Sequence, residues 1–519
     1  MPRLLILHPH GQGGEDEALK VLHVTSLAHL LGLRGWEVEA ADVLDPRLDR
    51  LVASAHLLLV QMLPHPEIEA IIRTRRARGL PTVYEIVDNF LAISDWAPDT
   101  HPLRSPLRRQ GILLGATQAD ALQVYSHGLA ELFAGLNGTI IRFDPYSPLP
   151  ESVPPKPPGF VFGWAGTASN APDLAAVAPA VVAFCARRPD ATFAYMGDEA
   201  VYRAHFGAIA PAQASVHPFS EHPRYRAFVG GLHVGLVPRL PTAFNAARTD
   251  WKFATYAAYA VAPVLQDAPA HRPHRELARL FATPAELESA LEELHAAPEV
   301  VARLGRAGRE WALAARSEEA LADQRDRAYR ALLAPGVEPE APPPPAPERA
   351  AAQLAEAHAL EPAEALASAR ELVARHPGYQ QAQLLVATSL ERLGREEEAL
   401  EHASRAAPSP VFADAFAEVQ VRCARRVRPQ EAERFVRRIA SPSRRARAAA
   451  GGTVLERARA VLEHQPYDHF ALAAAIRLIQ REQPESPELA ELFERASFVA
   501  PEDVPRDRRP ARLAEFLPV

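Results

Sequence analysis

Two proline-rich breaks constrain this chain more than any other feature of its sequence. Residues 148–158 (PLPESVPPKPP) hold six prolines. Each proline removes a backbone donor and fixes φ near −65°, so the stretch is neither helix nor central strand. It reads as a linker between two separately folding parts. Residues 341–347 (APPPPAP) make a second break, expected to be a semi-rigid, extended spacer. The chain therefore divides into 1–150, 151–333, a Pro-rich linker over 334–349, and 350–519. At 519 residues in all, each large part is long enough to bury its own core.

The first two parts alternate short apolar runs with helical patterns. Leu4 to Leu7 reads as a buried strand, followed by a glycine-rich turn (Gly11, Gly13, Gly14) and a helix from about Asp16 to Arg34. Strands follow at Val38–Ala40, His56–Gln61, Thr82–Val87 and Ala121–Tyr125, with helices over Pro66–Arg78 and Gly128–Ala134. After the first break come strands at Phe160–Trp164, Thr192–Met196, Val234–Val237 and Ala262–Leu265. Helices are expected at Ala171–Arg187, Pro284–His295 and Pro298–Leu313. Continuous apolar strands alternating with helices predict parallel sheets covered on both faces. Two such doubly wound units place a cleft between the carboxyl ends of their sheets.

Beyond the second break the pattern is helical and rich in Ala, Leu, Glu and Arg. Pro377 to Pro408 and Pro466 to Pro501 each read as a pair of helices. Their lengths of about 31 and 35 residues bracket the ~34-residue tetratricopeptide (TPR) period. The stretch 421–452 between them is irregular in pattern.

Composition excludes several classes. A net charge of -7 leaves no global basic field, so nucleic acid is not an expected partner. Two cysteines, Cys185 and Cys423, make neither a disulfide framework nor a zinc pattern, which suits a reducing, cytoplasmic setting. The first apolar run ends at Pro9, and no segment reaches the ~18 apolar residues of a membrane span. Peripheral attachment to the inner face of a membrane stays open. There is no Walker loop, no G-x-S-x-G elbow and no dinucleotide fingerprint. His8 and His10 show no metal spacing, and no metal site is expected.

Several segments resemble the GT4-type retaining glycosyltransferases of GT-B fold. Residues 162–167 (FGWAGT), followed by Asp173 and Leu174, look like that family's strand, glycine turn and helix. Residues 235–264 (GLVPRLPTAFNAARTDWKFATYAAYAVAPV) are similar to its pattern N..KSD.K..EYAALGVAPV, with Asn245, Asp250, Lys252 and Tyr256 at matching places. Residues 78–89 (RGLPTVYEIVDN) look like its stretch ending VVYEIDDD, and 120–130 resemble its later strand-to-helix turn, where Ser126 is placed as an N-cap.

The resemblance, covering roughly residues 1–333, implies a nucleotide-sugar donor and an acceptor hydroxyl on a glycan, lipid or protein. It implies retention of configuration and no cofactor beyond the donor. Lys252, with Arg248 second, is expected on the leaving diphosphate, and Gly166 and Thr167 on the donor. Asp88 either orients the acceptor hydroxyl or caps the turn that follows it. Members carry two glutamates eight residues apart. Their places hold Ala247 and Thr255 here, so the ribose contact falls to the Thr255 hydroxyl. The rival expectation is a GT-B core without transfer activity, serving as a binding or scaffold protein whose helical repeats recruit a protein partner.

Overall fold

The computed structural model describes residues 1–9, 24–93, 101–167, 170–220, 222–344, 349–449, 451–513 and 515–517. In the first unit, β1 (Arg3–His8), β2 (Glu37–Asp42), β3 (Leu57–Gln61), β4 (Thr82–Glu85), β5 (Ala121–Val124) and β6 (Ile140–Arg142) form one parallel sheet. Its strand order is β2-β1-β3-β4-β5-β6. Helices α1 (Ser26–Gly32), α2 (Leu48–Ser54), α3 (Ile68–Arg76), α4 (Pro106–Gln118) and α5 (His127–Leu132) accompany it. Leu4 to Leu7 and Leu57 to Val60 are fully buried, as a sheet covered on both faces requires. Of the long helix expected over 16–34, only α1 is seen; its start and the Gly11, Gly13, Gly14 turn lie outside the described residues.

The second unit repeats the plan. Strands β7 (Phe160–Ala165), β8 (Ala191–Gly197), β9 (Ala214–Pro218), β10 (Val234–Val237), β11 (Ala262–Gln266) and β12 (Arg279–Phe281) pair in parallel, ordered β12-β11-β10-β7-β8-β9. Its helices are α6 (Ala171–Arg187), α7 (Glu199–Phe206), α8 (His222–Gly230), α9 (Ala243–Ala246), α10 (Trp251–Ala258), α11 (Pro284–Ala296) and α12 (Pro298–Ala315). The strand order reverses between β7 and β10. A crevice opens outside the carboxyl ends of two such strands, because their following loops turn to opposite sides.

A further helix, α13 (Glu318–Arg330), crosses back to the first unit. The fully buried Tyr329 packs edge-on against Trp36 and Phe143, and its hydroxyl donates to Gln123 Oε1 at 2.5 Å. The two α/β units facing a cleft, closed by this returning helix, are the GT-B architecture that the sequence implied.

The last part is all helical: α14 (Ala350–His358), α15 (Pro362–Arg375), α16 (Gln380–Arg392), α17 (Glu396–Arg405), α18 (Ala413–Val427), α19 (Ala432–Val436), α20 (Pro442–Ala448), α21 (Val454–His464), α22 (His469–Glu482) and α23 (Glu488–Val499). The stretch expected to be irregular holds the end of α18 and the short α19 and α20. Residues 334–344 form neither helix nor strand, but they are not a free spacer. Glu340 donates its amide to the Ala53 carbonyl at 3.1 Å and pairs with Arg78 at 2.7 Å.

The helical unit is docked on the first unit. Gln381 donates to the Val43 carbonyl at 3.0 Å, Arg73 pairs with Asp414 at 2.9 Å, and Arg444 grips Glu67. One apolar cluster runs from under the first sheet, through α3 and α4, into α16, α18 and α23. Among the described residues no helix is long and apolar enough to cross a membrane.

Candidate functional site

The carboxyl end of β7 runs through Ala165 into Gly166, whose amide donates to the Met196 carbonyl at 3.0 Å. Lys252 is the second residue of α10, and its ammonium lies 4.5 Å from the Trp164 ring centroid. A Cβ built on Gly166 would stand 2.8 Å from Lys252 Nζ and 2.6 Å from Trp164 Cζ2. Only a glycine leaves room there for the ammonium to reach the strand end. Burial, with the nearby charges of Arg248 and Arg239, holds the Lys252 pKa well below its ordinary value. The ammonium has no hydrogen-bond or carboxylate partner among the described residues.

Arg248 joins the same site by a different route. Its Nη1 donates to Asn170 Oδ1 at 3.3 Å, and Asn170 Nδ2 donates to the Thr167 carbonyl at 3.2 Å and to its hydroxyl at 3.3 Å. Thus Gly166, Thr167, Arg248 and Lys252 are brought together at the β7–β10 crevice.

The sequence reading missed Arg239, which follows the end of β10. Its side chain is buried; Nη2 donates to the Thr249 carbonyl at 2.6 Å, while Nη1 has no hydrogen-bond partner among the described residues. Burial and then Arg248 lower its pKa to about 9, against the pull of Asp173, Asp250 and Asp88. Asp88, after β4 of the first unit, is thus near enough to Arg239 for its charge to act on the guanidinium. An arginine between two prolines after a strand carries no signal of its own, so nothing in the sequence singled Arg239 out.

Two residues of the matching motif hold the loop rather than face the cleft. Asn245 donates to Asp173 Oδ1 at 2.9 Å and to the Leu240 carbonyl at 3.1 Å, and Asp173 also accepts from the Leu240 amide at 2.8 Å. Asp250 accepts from His274 at 2.9 Å and Arg316 at 2.7 Å. Burial opposes its charge, yet these two partners hold its pKa below the ordinary carboxylate value.

The two places where the family carries glutamates are closed. Ala247 is buried, and its carbonyl accepts from the Ser126 hydroxyl at 2.5 Å. Gly128 lies so close that a Cβ there would meet the Ala246 oxygen at 2.7 Å and Ala247 Cα at 2.9 Å. Thr255 is 1% exposed; its hydroxyl lies 3.1 Å from Ser147 Oγ and donates to the Trp251 carbonyl at 2.9 Å. The structure therefore places Thr255, expected as the ribose contact, inside the second unit one helical turn from Lys252 on α10, with its hydroxyl committed to Ser147 and the Trp251 carbonyl. Ser126 caps α5 through the Leu129 amide at 3.0 Å, as anticipated.

A groove of about 580 Å³ lies under α8, lined by Ala194, Met196, Phe228 and Leu232. It backs onto the site through Met196, whose carbonyl holds Gly166. Among the described residues no group of three or more His, Cys, Asp or Glu side chains is placed to hold a metal ion.

No family model and no curated protein matches the chain. Among solved structures, HepE from Anabaena in complex with UDP-glucose superposes with a TM-score of 0.46 at 11% identity, over 64% of this chain and 100% of that one. TarM superposes with a TM-score of 0.41 at 8% identity, over 53% of this chain and 54% of that one. The chain thus spans about half the length of TarM. Neither likeness, at such identity and superposition, carries an argument about this chain's ligand or reaction.

Proposed function

We propose that the chain is a glycosyltransferase that moves a sugar from a nucleotide-sugar to an acceptor hydroxyl of a glycan, lipid or protein, with retention of configuration. The observation that carries the reading is the Lys252 ammonium: half-buried, with no hydrogen-bond or ion-pair partner among the described residues, and flanked by Arg248 and Arg239 at the carboxyl end of a parallel sheet. Like charges gathered out of water repel one another and pay desolvation, so an anion is the ligand such a site stabilises most. A diphosphate leaving group fits that demand. The bond from the anomeric carbon to the diphosphate oxygen breaks, and the bond to the acceptor oxygen forms. The acceptor proton passes to the leaving phosphate or to Asp88. Lys252, Arg248 and Arg239 neutralise the charge that develops on the diphosphate, and the reaction calls for no cofactor.

The test is binding and slow hydrolysis across UDP-, GDP-, dTDP- and ADP-sugars, with Lys252→Ala alongside. One donor bound and turned over by the wild type, and lost in the variant, upholds the proposal. No binding of any nucleotide overturns it.

A second reading is favoured by Ala247 and Thr255, whose closed surroundings leave no carboxylate for the ribose: a GT-B core that binds without transfer. Under either reading the helical unit is a platform for a protein partner. The starts of α15 and α17, and those of α21 and α23, are each about 34 residues apart, which supports a TPR-like repeat.

A further inference from the structure

Arg109 on α4 has a fully buried side chain, and its guanidinium closes a two-point pair with Glu502, at 2.7 and 2.8 Å. Past Glu502, the segment 500–517 of the helical unit runs along the first unit and buries Leu513, Phe516 and Leu517. It ends against the loop after β4. There the Phe516 carbonyl accepts from Asn89 Nδ2 at 2.7 Å. The same nitrogen donates to the Ala243 carbonyl of the second unit at 3.1 Å, and Asn89 Oδ1 accepts from the Leu91 amide at 3.1 Å. One carboxamide, 1% exposed, thus uses both N–H groups and its oxygen to join three segments.

Two of those segments carry the cleft. The loop after β4 holds Asp88 beside Asn89, and the Ala243 segment continues from Arg239 through Asn245 to Arg248. We propose that Asn89 is a positioning residue, through which the seating of segment 500–517 sets the acceptor side of the cleft. The proposal rests on the reading above for what the cleft does, but its mechanical part stands on the hydrogen bonds alone. A side chain with no donor, an ionised aspartate included, can donate to neither carbonyl, and one with a single donor serves only one of them. Loss of the Phe516 contact leaves a buried N–H unpaired, which loosens both loops together.

The experiment compares the full chain with Asn89→Ala, Asn89→Asp and a chain ending after Arg509. Glu502→Gln is the milder variant that unseats the segment if the others fold poorly. Amide hydrogen exchange is read over 88–93 and 243–247, and the KM for acceptor is read separately from nucleotide affinity. Exchange in both loops about tenfold faster, in the shortened chain as in Asn89→Ala, with strands β1 and β3 unchanged, is the expected result. Acceptor KM then rises while nucleotide affinity stays within about twofold of wild type. Unchanged exchange at 243–247 in the shortened chain overturns the proposal, and so does acceleration spread over the whole chain. If no nucleotide binds the wild type, the functional reading falls while the exchange result still decides the coupling.

Discussion

Glu67 and Arg444 form a two-point ion pair, at 3.0 and 3.1 Å, across the boundary between the first α/β unit and the helical unit. The side chains are 3% and 10% exposed. Burial raises the Glu67 pKa even against the attraction of Arg444. Burial also opposes the charge of Arg444, but Glu67, Glu418 and Asp414 more than offset it. Removing Glu67 leaves Arg444 with Glu418 at 3.1 Å as its remaining ion pair, and removing Arg444 takes the shared cation from both carboxylates. Glu67→Ala or Arg444→Ala should each lower stability by about 3–5 kcal/mol in denaturant unfolding. The double variant Glu67→Leu with Arg444→Met should recover part of that loss, because both charges of the pair are gone and only Glu418, which Arg444 Nε also meets at 3.1 Å, loses a partner. A double variant as unstable as the worse single one would show that packing, not charge, holds the seam.

The depressed pKa of Lys252 has opposite consequences for folding and binding. In the folded chain the ammonium loses its proton at lower pH than in the unfolded chain. Between those two values the unfolded state binds more protons, so the Lys252 contribution to stability grows as pH rises. A bound diphosphate raises the pKa again, so binding in that window takes up a proton. Nucleotide affinity should therefore fall by up to about tenfold per pH unit above the depressed pKa. Lys252→Arg should remove that slope, since a guanidinium stays charged throughout. Titration calorimetry in buffers of different ionisation enthalpy reads the proton uptake directly; none in the wild type would mean that the anion sits elsewhere.

Much of this was legible in the sequence, for reasons the residues show. Leu4 to Leu7, Phe160 to Trp164 and the Ala171–Arg187 helix stood out because long apolar or periodic runs leave one way to bury them. β6 and β12, of three residues each, and β9, at an exposed edge, are too short or too polar to signal. The docking of the helical unit was not legible either. Glu67, Arg73, Arg109, Asp414, Arg444 and Glu502 read as ordinary surface charges, whereas the structure pairs each with a residue hundreds of positions away and buries Glu67, Arg109, Asp414 and Arg444. At the site, the resemblance named Gly166 and Lys252, which do meet. It also named Thr255, whose surroundings are set by Ser147 just before the linker, and a one-dimensional motif carries no information about what covers it.

Gly166 lets the ammonium lie against the strand end, so its substitution separates the site from the fold. The Cβ of Gly166→Ala would overlap Lys252 Nζ and the Trp164 ring. The end of the lysine side chain is mobile enough to yield, whereas the indole is packed on Tyr195. The expected outcome is displacement of the ammonium. Nucleotide affinity should drop at least tenfold, about 1.4 kcal/mol, with a melting temperature near that of wild type. Unchanged affinity would mean that Lys252 has no part in holding the diphosphate.

Restoring a carboxylate at Thr255 tests the closed arrangement directly. The Thr255 hydroxyl lies among Ser147, the Trp251 carbonyl and Tyr225, whose ring stacks on Trp251 at 5.6 Å. Thr255→Glu would bury a longer, charged side chain where only weak donors face it, at a cost of about 3 kcal/mol or more. The variant should unfold at lower denaturant and gain no nucleotide affinity. A variant of wild-type stability that binds nucleotide more tightly would mean that residues 146–149 move aside in solution and that position 255 opens onto the ribose. In that event the cleft seen here is the closed form of a site that the linker regulates.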